Sequence, residues 1–287
     1  MKKGVACICL SAFGFALMSM FVRLADGFGD PLPATQKAFF RNLMAIGIAL
    51  AAFLRVRRTA LATLKDAGWG GWSDLVLRAF FGTMGIFANF YAISHIPLGD
   101  AMALNKTAPF FTLVGCLLLM GERIRPVQAL CVLGAFAGAL LVIRPGFAGG
   151  VSVAAGIGLF SGICAGLAYA YLHRLGRRGM NAAFIIFFFS CFSCLASLPF
   201  LVFDYHPMTG GQVLALLGAG AGAALGQFGI TWAYRFAEPR QVAVYDYSGI
   251  LFAVALGYLV FGQVPDVLSL TGMAIIVAVG IWVRRLS

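Results

Sequence analysis

The chain has 287 residues, 61% of them hydrophobic and only 11% charged, with a formal net charge of +11. A soluble domain cannot hide that much apolar surface, and repeated runs of about 20 apolar residues read as membrane-spanning helices. The basic residues fall in short clusters between the apolar runs, which is the pattern of loops on one side of a membrane and argues against a nucleic-acid partner.

In chain order, ten spans are predicted at 4–24, 35–54, 74–94, 98–120, 126–143, 154–173, 181–203, 211–234, 239–261 and 267–284. Lys2 and Lys3 precede the first, but its apolar run goes on to Phe21 with no small-residue cleavage site, so no cleaved leader is expected. Prolines 31, 33, 97, 126, 145, 207, 239 and 265 mark helix ends, where the missing backbone N–H does least harm. The longest loop, 55–73, holds Trp69 and Trp72 beside Leu61, Leu64 and Lys65, and reads as a short helix lying on the membrane surface.

Orientation follows from the loops. Lys2, Lys3, Arg55, Arg57, Arg58, Lys65, Arg123, Arg125, Arg174, Arg177, Arg178, Arg235, Arg240, Arg284 and Arg285 fall on one side, fifteen of the 21 basic residues. That side is the cytoplasm by the positive-inside rule, so both termini are expected there, in an inner membrane. Arg23, Lys37 and Arg144 lie near the opposite loops.

The two halves of the chain echo each other. A shift of 141 positions lays Gly121-Glu122 on Gly262-Gln263, Asn105 on Asp246 and Pro109 on Ile250. Phe39-Phe40-Arg41 matches Phe187-Phe188-Phe189, and Arg23-Leu24 matches Arg174-Leu175, at slightly longer shifts. Five spans per half is an odd number, so the halves enter the membrane with opposite orientation, with a site expected near the midplane between them.

These residues carry a resemblance. The Phe39-Phe40-Arg41-Asn42 start of the second span, Pro109 within the fourth, and Gly121-Glu122 with its echo Gly262-Gln263 resemble the drug/metabolite transporter superfamily, ten-helix EamA type, over the whole chain. The resemblance implies an all-α integral membrane fold of ten transmembrane helices in two inverted five-helix repeats, residues 1–145 and 150–287. It also implies a secondary transporter with a central cavity opened alternately to either side, and it leans to export. The chain departs from the pattern at Gln263 in place of a second acid, Phe189 in place of a second arginine and Ile250 in place of a second proline. The halves are therefore not expected to be functionally equivalent.

The residues themselves point to where the chemistry sits. A charge at mid-helix costs about 2.5–3.5 kcal/mol on an insertion scale, so Lys106 and Asp246 facing lipid would cost roughly 5–7 kcal/mol together. They must face a wet cavity, bind a ligand or pair with each other, and a pair that merely locks two helices is the plainer alternative. Asn105, Tyr245, Tyr247 and Ser248 flank them; Asn89, Tyr91 and Gln227 add donors and acceptors, and Phe110, Phe111 and Phe252 apolar walls. Pro109 frees the carbonyl of Asn105 and bends the helix. Arg41, a third of the way into its span, either snorkels to the headgroups or draws anionic substrates into the outer vestibule. Arg78 with Asp74 reads as an interfacial pair, and Glu122 as a residue holding the turn into the fifth span. Glycines spaced four apart at 158, 162 and 166, and at 218, 222 and 226, mark packing faces.

The partner read from this set is a small polar metabolite, amphoteric or anionic, such as an amino acid or organic acid. Proton coupling through Asp246, exchange and facilitated diffusion all stay open. No phosphate-binding Gly-rich Lys motif is present, so this chain is not expected to hydrolyse ATP. Seven cysteines, all in apolar runs, form no disulfide framework, Cys191 and Cys194 lack companion ligands, and the three histidines are isolated; no cofactor or metal is read from them. An intramembrane enzyme would need a nucleophile with its base at membrane depth, which is not found, and a non-transporting scaffold leaves the buried charges unexplained.

Overall fold

A computed structural model describes residues 2–121, 153–236 and 245–286, with 130, 133, 134, 136–139 and 141. The described residues form helices α1 (Lys2–Ala25), α2 (Ala34–His95), α3 (Leu98–Asn105), α4 (Ala108–Met120), α5 (Val153–Arg177), α6 (Ala182–Phe203), α7 (Gly210–Phe236), α8 (Ser248–Phe261) and α9 (Val267–Leu286). Among the described residues, seven segments are long and apolar enough to cross a bilayer: Lys3–Ala25, Ala34–Arg58, Thr63–His95, Leu98–Met120, Val153–Arg177, Ala183–Phe203 and Gly210–Gly229. Ser248–Phe261 and Val267–Val279 are shorter apolar helices. Most of the fifth predicted span and residues 239–244 of the ninth lie outside the described residues.

The segment 55–73 departs from expectation. It is not a separate surface helix, because the helical path continues through it and breaks only at Gly68, whose left-handed φ of 58° a side chain would resist. Trp69, immediately after the break, is the most exposed of these residues, while Leu64 is buried with Leu75, Leu175 and Phe184. Helix starts follow local chemistry. Pro33 and Pro97 precede α2 and α3, and the Asn181 side chain accepts the Ala183 N–H at 2.9 Å to cap α6.

Glycine faces set the packing. A Cβ at Gly222 would lie 2.8 Å from the Met18 nitrogen and 2.9 Å from the Gly14 oxygen, so α7 rests backbone to backbone on α1. Ser11 tightens this seam by donating to the Gly226 carbonyl at 2.7 Å. The α5 stripe has a more particular partner. Gly158 abuts Leu104, Gly162 abuts the Leu104 carbonyl and Thr107, and Gly166 abuts the Ala108 carbonyl and Phe111. The groove on α5 thus receives the place where α3 stops and α4 begins.

At the end of the bundle away from the basic loops, polar contacts tie distant segments together. Lys37, only 1% exposed, bonds Asp26 at 2.7 Å and Ser94 at 2.6 Å. Arg23 donates to the carbonyls of Ile93, at 2.8 Å, and Ile96, and lies over the Phe261 ring. Gln36 and His206 exchange bonds of 2.8 and 3.1 Å, and Gln212 donates to the Asp30 carbonyl at 2.8 Å. Arg23 and Lys37, two of the few basic residues near this side, are the cationic members of this clamp.

Candidate functional site: a buried ion pair between two interrupted helices

The interruption between α3 and α4 falls at Lys106 and Thr107. The chain leaves α3 with Lys106 at φ −71° and ψ 3°, and Thr107 bonds its own hydroxyl to the Leu104 carbonyl at 2.6 Å. Pro109 does not bend a continuous helix as expected. It sits in the first turn of α4, where its missing N–H leaves nothing unpaired. On the other side of the contact, Tyr245 and Asp246 are helical, Tyr247 forms a turn, and α8 starts at Ser248, whose hydroxyl bonds the Tyr245 carbonyl at 2.6 Å. The joint between α3 and α4 and the turn that opens α8 therefore meet.

Lys106 and Asp246 occupy those joints and pair. The ammonium Nζ lies 2.5 Å from Asp246 Oδ2, with side chains 10% and 22% exposed. Gly249 lets the lysine stem pass, since a Cβ there would lie 3.3 Å from Lys106 Cε. The second carboxylate oxygen, Asp246 Oδ1, is buried and accepts no hydrogen bond. An unfilled acceptor at membrane depth is costly. Asn105 turns the other way and donates to Ser161 Oγ at 3.2 Å, and Ser161 in turn donates to the Gly158 carbonyl at 2.6 Å. Asn105 thereby fixes the joint to α5.

The matching turns of the two halves share geometry as well as sequence. Gly121 and Gly262 end α4 and α8 in the left-handed region, with φ/ψ of 65°/21° and 64°/20°. Gln263, which stands where an acid was expected, accepts the Leu98 N–H at 2.9 Å through its side-chain oxygen. It caps the start of α3, a task a neutral amide performs as well as a carboxylate. Glu122 lies outside the described residues.

Arg41 and Gln227 belong to a second place. They line an open cleft of about 690 Å³ with Ala49, Ile186, Phe189 and Ser190, reaching from mid-membrane toward the basic end. Arg41 is 4% exposed, so it does not snorkel to headgroups. It bonds Asn42 Oδ1 at 2.5 Å, and Asn42 donates to Ser193 at 2.8 Å, but Arg41 Nε is buried without a partner. Arg78 does not pair with Asp74, which takes Arg174 at 3.3 Å and Arg178 at 3.0 Å instead. Its guanidinium lies 4.0 Å over the Phe189 ring, with Nε and Nη1 unpartnered. Arg41 lines the cleft with Phe189 and Arg78 lies over that ring, although a straight helix would hold the two arginines about 55 Å apart; the two limbs of α2 fold back on each other.

Of the other expected site residues, Tyr247 is buried and Tyr245 half-buried beside Asp246. Tyr91 stacks on His95 at 4.1 Å near the clamp end, exposed, and Asn89 is half-buried two residues before it. Neither joins the ion pair. Residues missed from the sequence are Ser161, Asn42 and Ser193; only Asn42, inside the Phe39–Asn42 motif, carried any signal.

The sequence matches the EamA-like transporter family over residues 2–144 and again over 153–284. The chain belongs to that family. This EamA-like transporter is 33% identical to the pseudopaline exporter CntI of Pseudomonas aeruginosa over 286 residues, covering 99% of this chain and 97% of that protein. It is 27% identical to an uncharacterized transporter of Helicobacter pylori, covering 97% of this chain and 93% of that one. To a riboflavin transporter of Vibrio cholerae it is also 27% identical, covering 96% and 90%. A solved crystal structure shares the fold at a TM-score of 0.63 and 18% identity, covering 98% of this chain and 99% of that one. The protein is thus a multi-pass membrane transporter and not an enzyme, in agreement with the reading of its sequence.

Proposed function

We propose that the protein is a secondary transporter that moves a small polar metabolite, an amino acid, organic acid or related compound, across the inner membrane by alternating access, in the export direction. The observation that carries this is the Lys106–Asp246 pair at the joints of two interrupted helices, with Asp246 Oδ1 left free to accept. Irregular backbone and charge at membrane depth are tolerated where they line a pathway, and a substrate ammonium or hydroxyl would complete the carboxylate while displacing or joining Lys106. Asn105, Tyr245, Tyr247, Ser248, Asn89, Tyr91, Gln227 and Arg41 complete the proposed binding set.

Alternating access needs one end sealed while the other is open. The clamp around Lys37 and Arg23 closes one end, and the cleft beside Arg41 opens toward the basic end, taken here as cytoplasmic. Opposed halves, residues 1–145 and 150–287 with five spans each, would supply the second state by exchanging these roles. The two family matches and the twin Gly121 and Gly262 turns support that duplication. The pseudopaline exporter lends weight to outward movement.

Efflux from proteoliposomes loaded with a metabolite mixture tests the reading. Net, substrate-selective efflux by the wild type, lost in Asp246→Asn and Lys106→Ala, is expected; unchanged efflux in both variants refutes the site. Protease access to tags at the two termini in right-side-out and inverted vesicles tests the orientation, both tags being cleaved only in the inverted ones.

A further inference from the structure

Two guanidinium groups lie near one aromatic ring of the cleft wall. Arg41 and Phe189 line the cleft together, and the Arg78 guanidinium lies 4.0 Å over the Phe189 ring. Both arginines are more than nine-tenths buried, at 4% and 6% exposure, and keep buried N–H groups unpartnered: Nε of Arg41, Nε and Nη1 of Arg78. No carboxylate pairs with either among the described residues. The nearby acid that would have served, Asp74, is held by Arg174 and Arg178. A protein interior does not hold two unneutralised cations beside a ring without an anion to complete them.

We propose that Arg41 and Arg78 form a binding site for a carboxylate-bearing metabolite with an apolar or aromatic body, entered through the cleft between α2, α6 and α7. Guanidinium groups present paired N–H donors that match a carboxylate bidentately. The rest of the wall is Ala45, Ile48, Ala49, Ala52, Ile186 and Phe228, with Ser190 and Gln227 as its other polar groups. That surface suits a monoanion carried on an apolar frame, whereas a phosphate dianion would ask for more donors.

The inference rests on the transporter reading but is tested apart from it. Purified protein is titrated with phenylacetate, with its neutral isostere phenylacetamide and with inorganic phosphate, and the thermal midpoint followed. Phenylacetate is expected to raise the midpoint, phenylacetamide and phosphate to leave it in place. Arg78→Met is expected to abolish that rise while the ligand-free variant melts no lower than wild type, because an unpaired buried charge has been removed; a merely structural arginine would melt lower. Equal shifts with acid and amide in the wild type, a larger shift with phosphate, no acid-dependent shift up to the solubility of the probe, or a shift retained in both Arg41→Met and Arg78→Met overturns the proposal. If Asp246→Asn abolishes efflux while the wild type does not distinguish acid from amide, this inference falls alone and the transporter site stands.

Discussion

The clamp end and the cleft solve the same problem in opposite ways. At the clamp, a fully buried Lys37 meets Asp26 and Ser94, and Arg23 meets two carbonyls and an aromatic face. In the cleft and at the helix joints, cations and a carboxylate stay partly unfilled: Arg41 Nε, Arg78 Nε and Nη1, Asp246 Oδ1. Under the proposed function, satisfied groups hold a wall shut and unsatisfied groups wait for a ligand. That reading would separate structural charge from substrate-binding charge within one chain, at similar burial.

Substitutions break or sharpen this contrast. The largest effect is expected from Asp26→Asn, which strands the Lys37 ammonium and should cost about 3–5 kcal/mol, read as a fall in thermal midpoint. Asp246→Asn should cost less, about 1–3 kcal/mol, because the Lys106–Asp246 pair is more exposed, at 10% and 22% against 1% and 17% for Lys37 and Asp26, yet it should remove transport. Equal stability losses in the two variants would erase the distinction drawn here.

Between the two regions runs the α1–α7 seam, where Gly222→Leu forces a side chain into the α1 backbone. A loss of about 1–3 kcal/mol or more is expected, measured as reduced yield of folded protein and a lower midpoint. Gly47, with nothing within 4 Å of a Cβ, is the control, and Gly47→Ala should change little. The smallest effect falls on the Gln263 cap. Gln263→Leu leaves the Leu98 N–H without its acceptor and should cost about 1 kcal/mol, whereas Gln263→Glu keeps an acceptor and should cost less.

The sequence made Lys106 and Asp246 legible because charge inside an apolar run has few harmless explanations, and the 141-residue echo put them at similar depth. It made the glycine faces of α5 and α7 legible through their spacing, but not that the α5 groove receives a helix break. Arg78 was misread for a physical reason. Asp74, a turn away, is its natural partner on an isolated helix, and only the approach of α5 brings Arg174 and Arg178 to take that carboxylate. Arg41 was left between lipid headgroups and substrate because a snorkelling side chain and a buried one look alike until the neighbouring helices are in place.

Composition and hydropathy alone determined that this is a helical membrane protein, since backbone polar groups in lipid leave few alternatives. Motif order alone pointed to its family. Which buried charges are neutralised and which are left open was decided by tertiary structure, because pairing depends on side chains from different helices, as far as 140 residues apart for Lys106 and Asp246, meeting within about 3 Å.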